Sequence, residues 1–88
     1  MYLHLGSSVV IRQRDVVGIF DLDNTTASRI TRDLLTRAQR AGQVVTVGED
    51  LPKSFLLCRD EAGKTTVYLS QLSPATLLKR MESGSFTV

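Results

Sequence analysis

The apolar positions of the chain fall into short runs whose spacing changes along its length. Tyr2-Leu3-His4-Leu5 makes a brief apolar run that stops at Gly6 and predicts a first strand over residues 2–5. Residues 8–13 alternate, with Val9 and Ile11 on one side and Val10, Arg12 and Arg14 on the other. That two-residue period predicts a half-buried second strand. Gln13-Arg14-Asp15 is polar and predicts a turn, and the β-branched and aromatic residues 16–20 predict a third strand.

The pattern then lengthens to a helical period. Asp21-Leu22-Asp23-Asn24-Thr25-Thr26 offers short oxygen-bearing side chains that cap free backbone N–H groups. A helix is expected from about residue 27 to 41, with Gly42 as its left-handed stop. On a helical wheel Ala27, Ile30, Leu34, Ala38 and Ala41 share one stripe, and Arg29, Arg32, Asp33, Arg37 and Arg40 lie opposite. Val44, Val45 and Val47 predict a short strand, followed by a loop over 48–53. Two further strands, 54–59 and 65–70, are joined by a hairpin loop at 60–64. Ser73-Pro74 predicts a sharp helix start. That helix covers about 74–82, with Leu77, Leu78 and Met81 inward, and ends at Ser83-Gly84-Ser85.

The order β-β-β-α-β-β-β-α predicts an α+β fold, a mostly antiparallel sheet with two helices packed on it. One domain over residues 1–82 and a short tail over 83–88 account for the chain. At 88 residues and 42% hydrophobic content, one modest core is what the composition allows. A core this small, with edge-prone strands at 2–5 and 8–13 and an apolar tail Phe86-Thr87-Val88, predicts a homo-oligomer.

Charge and cysteine usage narrow the setting. No stretch approaches the roughly 20 apolar residues of a membrane span, no basic leader precedes the first strand, and Cys58 stands alone. These features predict a cytoplasmic protein with no membrane partner. The net charge of +2 is a mild basic bias, so any nucleic-acid binding would rest on many copies acting together.

The run Val17-Gly18-Ile19-Phe20-Asp21-Leu22-Asp23-Asn24-Thr25 resembles the first motif of haloacid-dehalogenase-type phosphatases. In that chemistry Asp21 is the nucleophile and Asp23 the acid/base. The partner lysine and second acidic pair have no matching strand ends here, so the run reads as a strand followed by an acidic helix cap. His4 lacks a second histidine, and Cys58 lies in a strand as a small hydrophobe. No catalytic residue, metal, cofactor or small-molecule substrate is expected.

The basic residues offer more. Arg12, Arg14 and Lys53 make a patch if their two loops meet at one end of the sheet. Arg29 and Arg32, with Arg37 and Arg40, line one helix face, which reads either as a DNA contact or as a solvated face with Asp33 paired to Arg37.

Several segments carry a resemblance. Met1-Tyr2-Leu3-His4-Leu5-Gly6, Val9-Val10, the strand 16–20, Ala38-Gln39-Arg40-Ala41-Gly42, Leu51-Pro52-Lys53-Ser54-Phe55 and the stretch from Val67 to Leu77 stand in the order found in the Rem family of bacterial extracellular-matrix regulators. The chain resembles the B-type branch of that family, over residues 1 to about 82. The resemblance implies a ring-forming, non-enzymatic regulator of matrix and biofilm genes. The A-type branch binds double-stranded DNA through arginines in the loop after the strand at 44–47 and near the second turn. Here that loop reads Glu49-Asp50-Leu51-Pro52-Lys53, and Asp15, beside Arg14, holds the other position. Two readings follow: a DNA-binding transcriptional regulator acting as a ring, or an oligomeric interaction protein, partnered by a paralogous regulator, without direct DNA contact.

Overall fold

The alternation at the start of the chain produces a hairpin. The computed structural model describes residues 1–22 and 29–87, with residues 30 and 83–87 described in backbone only. β1 (Tyr2–Gly6) pairs antiparallel with β2 (Val9–Arg12). The tight connection holds Gly6, Ser7 and Ser8 at positive φ. Leu3, Leu5 and Ile11 are buried, while Tyr2, His4 and Val10 face outward, as a two-residue period requires. A single 3₁₀ turn at Gln13–Asp15 then redirects the chain into β3 (Val16–Asp21).

The main sheet has four strands in the order β3-β5-β6-β4, where β4 is Val44–Thr46, β5 is Ser54–Arg59 and β6 is Thr65–Ser70. β5 pairs antiparallel with both β3 and β6, and β4 pairs parallel with β6. β3 and β4 therefore run in the same direction on opposite edges of the sheet. Helix α1 (Arg29–Arg40) lies between them in sequence and carries the chain across one face.

β5 is buried on both faces, and its side chains sort into two cores. Phe55 and Leu57 join Leu22, Leu34, Leu35, Ala38 and Val67 beneath α1. Leu56 and Cys58 join Leu3, Leu5, Ile11, Val47 and Leu77 on the other face, under the hairpin and helix α2 (Pro74–Thr87). Phe20 and Phe55 stack with ring centroids 4.7 Å apart in the α1 core. The result is three layers: helix, sheet, and hairpin with helix.

The helix punctuation follows the sequence closely. At the end of α1, Gly42 (φ +70) donates to the Gln39 carbonyl at 3.1 Å and Gln43 N donates to the Ala38 carbonyl at 2.9 Å. This pair of bonds is a Schellman closure, which needs a left-handed residue at Gly42. At the start of α2, Ser73 Oγ accepts from Thr76 N at 3.2 Å, and Pro74 occupies the first helical position.

Three expectations are corrected. α2 runs through Ser83-Gly84-Ser85 to Thr87 instead of stopping there. Leu78 faces solvent at 51% exposure, because the inward stripe of α2 is the i, i+4 pair Leu77 and Met81. Ala41 is exposed beyond the end of α1, and Leu35 takes a place in the core beside Leu34 and Ala38. The expected start of α1 at residue 27 and the side chain of Ile30 lie outside the described residues.

Candidate nucleic-acid interface

The basic residues singled out in the sequence separate into three places. Arg12 ends β2 and Arg14 sits in the 3₁₀ turn that follows. The register that pairs Val16 with Cys58 puts this turn at the Arg59 end of β5. Lys53 precedes β5 at its other end, where Ser54 pairs with Asp21 and Ser70. A six-residue strand separates the two ends by roughly 20 Å. Arg12, Arg14 and Lys53 thus do not form one patch within a subunit. Arg29 and Arg32, like Arg37 and Arg40, are exposed on α1, the layer on the far side of the sheet from the hairpin. The expected Asp33–Arg37 ion pair is not formed among the described residues.

The two ends of the sheet differ in charge. At the Arg12 end, Arg12, Arg14, Arg59 and Lys64 stand against Asp15, Asp60 and Glu61. At the other, among the described residues, the cation Lys53 stands against Asp21, Glu49 and Asp50. Glu49 N and Asp50 N both face the Gln71 side-chain amide, and with that amide turned so that its oxygen meets them it accepts from Glu49 N at 2.8 Å and also from Asp50 N.

Arg12 and Arg14 converge with residues from across the hairpin and from the β5–β6 loop. Tyr2 lies directly opposite Arg12 in the β1–β2 register and is 63% exposed. Met1, Tyr2, Arg12 and Arg14 line a shallow cleft of about 280 Å³. Asp15 Oδ2 holds Arg12 Nε at 3.4 Å. Arg14 Nη2 donates to Glu61 Oε1, and Arg12 Nη1 lies 4.0 Å from the same oxygen.

The other candidate groups sit elsewhere. Cys58 is buried, and burial first, then the nearby Asp15 carboxylate, pushes its thiol up to about 11. Tyr68 is also pushed above its ordinary value, by burial first and then by Cys58 and Asp15. His4 is exposed, and its carbonyl accepts from Arg80 Nη1 at 3.2 Å. Asp21 closes β3, while residues 23–25 of the D-x-D-x-T run lie outside the described residues. No helix among the described residues is long and apolar enough to cross a membrane.

Tyr2 and Glu61 were not singled out from the sequence. A hairpin centred on Gly6-Ser7-Ser8 would have placed Tyr2 opposite Arg12. Nothing local signals Glu61, which reaches Arg14 across 47 residues.

Residues 2–81 match the family model described as extracellular matrix regulatory protein A-like. The chain belongs to this family. It is also 35% identical over 82 residues to extracellular matrix regulatory protein B of Bacillus subtilis (strain 168), covering 93% of this chain and 91% of that protein. In this RemA-like chain the match runs through the hairpin, the four-stranded sheet and most of α2, and so includes every residue that lines the Arg12–Arg14 cleft except Met1.

Proposed function

We propose that the chain is a cytoplasmic, non-enzymatic transcriptional regulator of extracellular-matrix genes that binds double-stranded DNA as a ring of identical copies. The observation that carries the reading is the Arg12–Arg14 cleft at the more basic end of the sheet, flanked by the exposed ring of Tyr2. Two guanidiniums side by side make forked contacts to phosphate oxygens, and a tyrosine hydroxyl adds a neutral donor. Such contacts fix register on the duplex without reading bases.

One subunit neutralises only a few phosphates, so tight binding needs several copies on one face. The sheet supports such an assembly. β3 and β4 are its two edges, run in the same direction, and carry exposed valines, Val17 at 64% and Val45 at 40%. Pairing the β3 edge of one copy with the β4 edge of the next is head-to-tail, and a closing head-to-tail contact generates a ring.

A second reading, an oligomeric interaction protein without DNA contact, is favoured by the other end of the sheet. There Leu51 is 88% exposed beside Glu49 and Asp50, above an apolar cleft of about 590 Å³ between α1 and β4. Sedimentation of the protein with and without a labelled duplex at about 50 mM salt separates the readings. Co-sedimentation of DNA with an oligomer supports the first. An oligomer that leaves the duplex behind supports the second.

A further inference from the structure

Arg12 and Arg14 are not idle in the free protein. Both face Glu61 Oε1, Arg14 through a direct hydrogen bond and Arg12 at 4.0 Å. Asp15 already holds the Nε side of Arg12, so the edge turned to Glu61 is the one left for a ligand. We propose that this pair is a phosphate fork whose occupant in the free protein is the chain's own Glu61 carboxylate, which a DNA backbone phosphate must displace. The inference rests on the DNA-binding reading and adds to it an internal competitor for the same site.

Three features suit Glu61 to that role. A carboxylate presents a single negative charge and two oxygens to a guanidinium, the same recognition that a phosphodiester offers. The loop that carries Glu61 is held by its backbone and by Asp60, not by the Glu61 carboxylate. Asp60 N donates to the Lys64 carbonyl at 3.0 Å, Gly63 N to the Asp60 carbonyl at 3.0 Å, and Lys64 N to Asp60 Oδ1 at 2.8 Å. The Glu61 side chain can therefore swing away without unmaking the turn. Finally, Arg14 and Glu61 are 60% and 68% exposed, so their pair is screened and weak, as a displaceable pair must be.

The consequence is a threshold on DNA affinity. A phosphate that enters the fork gains two guanidiniums and loses the energy of one exposed ion pair. Removing the competitor, by Glu61→Gln, leaves the turn intact and opens the fork.

The test is duplex binding across a salt series for wild type, Glu61→Gln, Arg14→Ala, the double variant, and Asp33→Asn as a charge control on α1. We expect Glu61→Gln to tighten binding about two- to fivefold per subunit, the scale of an exposed ion pair. The salt slope should steepen by about 0.9 for each further phosphate that the opened fork neutralises. In the Arg14→Ala background the same change should do little. An equal increase in affinity in that background, or from Asp33→Asn, overturns the proposal by showing that only net charge matters. A parallel titration with inorganic phosphate follows the Arg12 and Arg14 side-chain N–H resonances. Saturation at lower phosphate in Glu61→Gln than in wild type supports the fork even if no form binds duplex, in which case the DNA reading alone falls. Duplex binding that is identical in wild type and Glu61→Gln sinks the fork and leaves the DNA reading standing.

Discussion

Ser70 donates its hydroxyl to the backbone carbonyl of Leu5 at 3.1 Å, joining the β1–β2 hairpin to the main sheet across 65 residues. The same oxygen accepts from Leu72 N at 3.1 Å. Ser54, its direct neighbour on β5, donates to the Leu72 carbonyl at 2.7 Å. Both serines are fully buried, and no buried side-chain polar atom among the described residues lacks a partner. A fully buried serine pair at the end of the sheet is tolerable only because each hydroxyl is satisfied.

Ser70→Ala should therefore cost about 1–3 kcal/mol, because it strands the Leu5 carbonyl and the Leu72 N–H in the interior. Urea unfolding measures it. Ser54→Ala, which removes one bond, should cost less. Equal stability of wild type and Ser70→Ala would contradict this role for the Ser70 hydroxyl.

Gly48 and Gly42 provide a matched comparison. Both have positive φ, +87 and +70. A Cβ at Gly42 meets nothing within 4 Å, whereas at Gly48 it would collide with the side-chain amide of Gln71. Both alanine variants carry left-handed strain of about 1 kcal/mol. Gly48→Ala should be the more destabilising in thermal melts, since it also pushes Gln71 off the Glu49 and Asp50 amides.

The buried thiol sets an alkaline limit. Burial, and then the Asp15 carboxylate, pushes the Cys58 thiol of the folded chain up to about 11 from an ordinary 9.0. The native state keeps the proton longer than the unfolded state, so stability holds below pH 9 and falls as pH rises from 9 toward 11. Tyr68, shifted in the same direction, extends that fall. Cys58→Val should flatten the decline across this window in urea titrations. At about pH 8 the native thiol should resist alkylation and react freely once unfolded.

Much of the fold was legible because its signals are local. A short apolar run located β1, alternation located β2, a β-branched and aromatic run located β3, the hairpin loop at 60–64 located β5 and β6, and Gly42 and Ser73-Pro74 marked two helix ends through the cap geometry the structure contains. The parallel pairing of β4 with β6 left no such mark, since strand order is decided by packing around β5. The end of α2 was misplaced because Gly84 reads as a stop, yet the helix continues through it. At the site, Arg12 and Arg14 were visible as a pair. Their distance from Lys53 and their approach to Glu61 depend on strand register, which residue type does not encode.

The central claim is that the Arg12–Arg14 end of the sheet, and not the Lys53 end, meets DNA. Its most direct test is a salt titration of duplex affinity for wild type, Arg12→Glu with Arg14→Glu, Lys53→Glu, and Arg29→Glu with Arg32→Glu, all confirmed as folded oligomers. Reversal at Arg12 and Arg14 should weaken binding to every sequence alike, with the slope of log K falling by about 0.9 for each phosphate no longer neutralised. Reversal at Lys53, which shares its end of the sheet with Asp21, Glu49 and Asp50, should change affinity by less than about threefold, and reversal on the α1 face should likewise do little. Loss of binding in Lys53→Glu with full affinity in the Arg12→Glu, Arg14→Glu variant would contradict the account.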